Sequence, residues 1–255
     1  MSITDAPIHP SLAASDLARA REWYADKLGW EPTVEPPGTL VYEVLGSAFT
    51  LFETPFAGSA QNTVMNWNVP DASAEVARLR ARGVVFEEYA AGDYKTVDGI
   101  MSDPEGGKNA WFKDSEGNII GLTSGPNDPR PSSLSAMLAA SDLTRAKAWY
   151  AEKLGFEPMA EFEGVLAGYQ SGSSSFSVYQ TEFAGTAKNT VAVWRLKGLV
   201  DEVARLRERG VVFEDYDFGN GEATVAGIMS DEIGPVNAWF TDSEGNVLAI
   251  AEDRD

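Results

Sequence analysis

"AASDLARAREWYADKLGWEP" occupies Ala13–Pro32, and "AASDLTRAKAWYAEKLGFEP" occupies Ala139–Pro158. One chain thus states the same sequence twice, about half its length apart. Three further pairs follow in the same order. "TPFAGSAQNTVMNW" (Thr54–Trp67) returns as "TEFAGTAKNTVAVW" (Thr181–Trp194). "EVARLRARGVVFEEY" (Glu75–Tyr89) returns as "EVARLRERGVVFEDY" (Glu202–Tyr216). "NAWFKDSEGNIIGL" (Asn109–Leu122) returns as "NAWFTDSEGNVLAI" (Asn237–Ile250). Two copies of so long a unit are a duplication and not a solenoid. The Pro- and Ser-rich stretch "SGPNDPRPSS" (Ser124–Ser133) reads as the seam. The expected domains are residues 1–125 and 134–255, joined by a linker at 126–133.

Each half reads as strand, helix and strands, twice over. Leu17, Ala20, Trp23, Tyr24 and Leu28 recur at helical spacing, with Ser15 or Asp16 as cap and Gly29 as terminator. The runs Leu40–Leu45, Ala48–Glu53 and Asn62–Val69 read as strands. Residues Asp71–Gly83 form a capped helix, and Val84–Tyr89 a further strand. The five residues Asp114–Asn118 turn a hairpin. The fold class is therefore α+β, with four βαβββ modules in tandem.

Composition narrows the function classes. A formal net charge of −19 argues against a nucleic-acid partner, which would require a positive surface. No apolar run has the length of a membrane span. Cysteine is absent, so disulfide and thiolate chemistry are excluded, and the start lacks a secretory pattern. A cytoplasmic protein, monomeric or homodimeric, is expected. No phosphate-binding glycine loop and no nucleophile elbow occur.

The ordered set of the Ser-Asp-Leu helix start, the Trp-Tyr pair, Leu-Gly-Trp or Leu-Gly-Phe, and Asp-Ser-Glu-Gly-Asn between strands resembles the vicinal oxygen chelate superfamily. That group includes glyoxalase I, bleomycin-resistance proteins, fosfomycin-resistance enzymes and extradiol dioxygenases. The resemblance covers nearly the whole of both halves. It implies curled mixed sheets forming cups for a small ligand, and a divalent metal held from four strand positions. Carried onto this chain, those positions are His9 (Ser135 in the copy), Leu51 or Glu53 (Val178 or Gln180), Val64 (Val191) and Gly121 (Ala249). His9 is the only histidine, so a triad of two histidines and a carboxylate is unavailable. The resemblance therefore points to a binding protein for a small organic, cationic or amphipathic molecule, without a complete metal site. The alternative is a glyoxalase-like lyase or isomerase using His9, Glu53 or both, with or without a divalent metal bound by them.

Strand alternation supplies the remaining candidates. Asn66, Asn68 and Arg195 fall on the side expected to face a ligand, with Gln180 as the counterpart of Glu53. Either Trp111 or Phe112 shares that side, as does Trp239 or its neighbour in the copy. Tyr94, in the long stretch Ala90–Asn109, is the candidate for closing over a bound molecule. The copies agree in their helices and apolar strand faces, and differ at His9 against Ser135, Asn66 against Val193, and Asn68 against Arg195.

Overall fold

The computed structural model describes residues 1–91, 94–126, 131–162, 164–217, 223–229 and 236–252. In chain order the first half holds β1 (Ile8–Ala14), α1 (Leu17–Trp23), β2 (Thr39–Val44), β3 (Ser47–Glu53), β4 (Thr63–Asn68), α2 (Ala72–Ala81) and the short β5 (Ala90–Ala91), β6 (Tyr94–Lys95) and β7 (Met101–Ser102). It closes with β8 (Lys108–Lys113) and β9 (Ile119–Ser124). The second half holds β10 (Ser133–Ala140), α3 (Leu143–Trp149), β11 (Ala160–Phe162), β12 (Leu166–Ser171), β13 (Ser174–Gln180), β14 (Thr190–Arg195) and α4 (Leu199–Glu208). It ends with β15 (Ile228–Met229), β16 (Val236–Thr241) and β17 (Val247–Glu252). Among the described residues no helix is long and apolar enough to cross a membrane.

Backbone packing groups the chain into two units, Pro10–Ser135 and Met1–His9 with Ala136–Asp255. The first nine residues, assigned above to the first half, thus pack with the second. The reason is a set of specific bonds. Ile3 N–H donates to Glu202 Oε1 at 2.7 Å, Ser171 Oγ to the Ala6 carbonyl at 2.8 Å, and Ile8 N–H to Ser174 Oγ at 2.7 Å. Ile3, Ala6 and Ile8 are fully or almost fully buried.

Within Pro10–Ser135, β1 runs parallel to β3, and β3 antiparallel to β2. β4 runs parallel to β9, which pairs antiparallel with β8 and through it with β7. The apolar faces of both sheets meet at an aromatic core. Tyr24 touches Tyr42, Phe49 and Trp30; Trp30 touches Trp67; Trp23 stacks on Phe112. Ring pairs of this kind add to the large area that each side chain buries. The second unit repeats the plan, with Tyr150, Tyr169, Phe176, Phe156, Trp194 and Phe240 in contact.

One strand that the second half keeps, and one strand expected from the sequence, shrink to single bridges. In the second half the module beginning at β10 carries its full set of strands, with β11 antiparallel to β12. In the first half the equivalent of β11 is a single bridge, Val34 to Val41. Pro36 and Pro37 follow it, and proline offers no N–H to a ladder. The run Val84–Tyr89 likewise makes only the bridge Phe86 to Phe112. Residues 127–130 of the seam, and much of the loop between Asp217 and Asn237, lie outside the described residues.

The repeated motifs form a buried lock. Asp16 caps α1 by accepting from Arg19 N–H at 3.0 Å. Glu116, its side chain wholly buried, accepts from Ser15 N–H at 2.8 Å, Ser15 Oγ at 3.0 Å and Asp16 N–H at 3.2 Å. Arg19 closes the carboxylate with Nε and Nη2 at 2.9 Å each. Asp114, also buried, accepts from Tyr24 OH at 2.9 Å and Asn118 Nδ2 at 2.8 Å, and from the N–H groups of Glu116 and Asn118. Asp242, Glu244, Tyr150, Arg145 and Ser141 repeat the arrangement. The repeated Phe-Ala-Gly belongs to it. A Cβ on Gly117, where φ is 85°, would lie 3.3 Å from Gly58 Cα, so two turns touch at glycines.

Candidate functional site

The register decides which residues stand together. Asn66 lies beside Gly121, and Gly121 beside Trp111; Asn68 lies beside Thr123, and Thr123 beside Asn109. These six form two rows across β4, β9 and β8, on the face turned away from the aromatic core. Met65, Trp67, Ile120, Leu122 and Phe112 take the other face and are buried. Trp111, and not Phe112, is therefore the aromatic residue of the outer face. Tyr89 stands edge-on to it, with ring centroids 5.4 Å apart. Burial, and then Glu87, raise the Tyr89 pKa, so its hydroxyl stays protonated at neutral pH.

A hydrogen-bonded chain of neutral groups covers this face. Asn66 Nδ2 donates to Asn68 Oδ1 at 3.2 Å. Thr123 Oγ1 lies 3.0 Å from Asn66 Oδ1 and 3.0 Å from Asn109 Oδ1. A hydroxyl has one proton, and it cannot serve both oxygens. With Asn66 donating to Asn68, Thr123 donates to Asn66 Oδ1, and the Asn109 amide is assigned with its NH2 toward Thr123. That leaves an Asn109 oxygen and Asn68 N–H groups to meet a ligand.

The residues implied as metal ligands do not assemble. Gly121 has no side chain, and a Cβ there would sit 2.7 Å from Asn66 Oδ1. The space that a donor at 121 would need is filled by an amide. Val64 is an apolar residue at a β-bulge, 1% exposed. Leu51 and Glu53 alternate with Thr50, whose hydroxyl bonds Ser11 Oγ, and so they face the opposite way. Leu51 is buried beside Leu12 and Leu40, and Glu53 is exposed at the strand end. His9 is half-buried and follows the alternation of Ser11 along β1. The structure thus places His9 and Glu53 on opposite strand faces. The donor set does not fit a four-ligand metal site. Among the described residues, none group as three or more His, Cys, Asp or Glu around a common point.

The copy in the second unit has the same two rows with other chemistry. Val193, Ala249 and Trp239 form one; Arg195, Ala251 and Asn237 form the other. Trp239 meets Tyr216 edge-on at 5.7 Å. Val191, in the bulge, is buried. Gln180 ends β13 beside Ala140, on the strand side of Val178 and Phe176, and is exposed. Tyr94 lies in β6, and its side chain is outside the described residues. Asn109 and Thr123 were missed from the sequence, although the alternation that selected Trp111 and Gly121 marks both.

Residues 7–122 match the family model of the Glyoxalase/Bleomycin resistance protein/Dioxygenase superfamily. No curated protein matches the chain in sequence. Among solved structures, glyoxalase I from Zea mays is 13% identical, over 96% of this chain and 91% of its own, with a TM-score of 0.66. A candidate dioxygenase from Bacillus subtilis is 16% identical, over 100% of this chain and 87% of its own, with a TM-score of 0.64. At such identities the likeness is one of fold.

Proposed function

We propose that this chain, which belongs to the Glyoxalase/Bleomycin resistance protein/Dioxygenase superfamily, binds a small, planar, uncharged molecule on the outer face of β4, β9 and β8. The observation that carries this reading is the Asn66–Thr123–Asn109 and Asn66–Asn68 hydrogen-bonded chain beside Trp111. Every group in it is neutral and held by a neighbour, so little side-chain freedom is lost on binding. Asn68 supplies donors, Asn109 an acceptor, and the indole an apolar wall. A ligand with an amide or lactam edge and an aromatic body has the matching pattern.

The glyoxalase-type alternative would have His9 or Glu53 act as a base beside a carbonyl. Their placement on opposite strand faces does not favour a shared role for the two. The binding reading is tested with 3-phenylpropanamide by calorimetry on the full chain. Saturable binding is expected. Asn68→Val and Thr123→Ala should each weaken it about tenfold, while His9→Ala leaves it unchanged. Absence of saturation, or turnover of a 2-oxoaldehyde–thiol adduct that Glu53→Gln abolishes, would overturn the reading.

A further inference from the structure

One short stretch has diverged between the copies in a way that changes a sheet edge. Residues 31–37 read Glu-Pro-Thr-Val-Glu-Pro-Pro, and their equivalents 157–163 read Glu-Pro-Met-Ala-Glu-Phe-Glu. In the first copy the bridge from Val34 to Val41 is followed by two prolines, which offer no N–H to a further strand. In the second copy Phe162 stands where Pro36 does, and the stretch forms β11. β11 pairs with β12 on one side, and among the described residues no strand lies on its other side. Such an edge turns alternate N–H and C=O groups outward.

The side chains of this edge combine apolar surface with negative charge. Phe162 is 64% exposed and Met159 is 68% exposed; the first copy has Pro36 and Thr33 in their places. Glu161 lies opposite Ala167, on the face turned to α3, where Lys147 Nζ donates to it at 2.7 Å. By alternation Phe162 takes the other face. Burial, and then Glu161 and Glu157, push the Tyr169 pKa up to about 12, so both carboxylates act on the same part of β12.

We infer that β11 is a docking edge for an extended, basic segment of another protein, which adds to it as a further strand. Main-chain bonds to the edge hold such a segment, and its alternate side chains select it. Cationic residues of the segment fall on the side of Glu161, and apolar ones cover Phe162. Residues 157–163 hold three glutamates and no base, so a cationic strand is drawn to this edge and an anionic one repelled. The same charge argues against a second copy of this chain. Pairing β11 with itself would bring like glutamates together between two chains of net charge −19 each. A three-residue strand offers few main-chain bonds. The association is therefore weak and reversible, with a Kd of about 0.1–1 mM.

The edge is apart from the outer face of β4, β9 and β8, and the two readings fail separately. The test titrates the full chain against labelled acetyl-Lys-Val-Lys-Val-Lys-Val-amide, followed by fluorescence anisotropy, with a peptide carrying Glu for each Lys as control. Saturable binding of the basic peptide alone is expected, weakened several-fold by about 300 mM salt. Phe162→Thr should weaken it about threefold, and Glu161→Lys about tenfold. Phe162→Pro, or methylation of alternate backbone nitrogens of the peptide, should abolish it. Asn68→Val should leave it unchanged. Equal affinity for the two peptides, unchanged affinity in both Phe162→Thr and Glu161→Lys, or no saturation would overturn the inference. So would a dimer in sedimentation that Phe162→Pro dissolves, since the edge would then belong to a second copy.

Discussion

Tyr24 donates its phenolic hydrogen to Asp114 at 2.9 Å, across 90 residues of sequence, with both side chains buried. The hairpin turn that carries Asp114 is thereby fastened to the end of the helix that carries Tyr24. Burial pushes the Asp114 pKa up to about 6, against its four accepted hydrogen bonds.

A definite pH dependence results. The folded chain holds the Asp114 proton more tightly than the unfolded chain, whose value is 3.8. The stabilising contribution is therefore complete below 3.8 and is lost as pH rises through about 6. Asp242 acts in the same direction. The difference in unfolding free energy between wild type and Asp114→Asn should fall by up to about 3 kcal/mol across that window. Urea titrations at several pH values measure it, and a flat difference would refute it.

Glu116 acts with the opposite sign. Burial alone would raise its pKa, but the bonds from Arg19, Ser15 and Ser115 hold it below its usual 4.5. Its contribution is present above 4.5 and is lost as pH falls through the depressed value. Glu116→Gln should cost about 2–3 kcal/mol at neutral pH, through the lost charged hydrogen bonds and the broken Arg19 fork. Chemical denaturation of this variant, alone and with Glu244→Gln, should show additive losses, because the two locks share no partner.

Gly121 and Asn66 are coupled. Gly121→Ala brings a methyl group against Asn66 Oδ1 and should cost about 1–3 kcal/mol. Asn66→Val with Gly121→Ala recreates the pairing found at Val193 and Ala249. The double variant should be more stable than Gly121→Ala alone by about 1 kcal/mol. Equal stabilities in a denaturant series would show that the two positions are independent.

Gly172, in the turn between β12 and β13, is where the N-terminal segment presses on that hairpin. Its φ is 53°, and a Cβ would come 2.6 Å from the Asp5 carbonyl oxygen and 2.8 Å from Ala6 C. Gly172→Ala should lift residues 1–7 from their seat and cost about 2–3 kcal/mol. Faster amide exchange at Ala6 and Ile8 is the specific readout. Unchanged exchange there would mean that the segment is held by other contacts.

The duplication, the α+β class and the outward placement of Asn66 and Asn68 were legible in the sequence, because period-two alternation and matched spacing depend on neighbours along the chain. Asp114, Glu116 and Asn118 read only as parts of a hairpin turn, yet all three are buried. Their burial depends on a helix about a hundred residues away, and no local pattern carries that. Leu51 and Glu53 were placed on the ligand side by family spacing, whereas the pairing of β1 with β3 puts them on the other. A shift of one residue in register exchanges the two faces of a strand, and only the pairing partner decides it. The chemistry at Thr123 was hidden for a different reason. Its importance comes from lying between two asparagines on neighbouring strands, which is a relation across the sheet.

Residues 1–9 are synthesised well before the residues that receive them, Gly172, Ser174 and Glu202. At about 5–20 residues per second, the arm waits roughly 10 to 40 s for its seat to be made. Throughout that interval Ile3 and Ile8 are apolar side chains on a nascent tether. Seating of this arm thus has to wait for the second half of the duplication to be made.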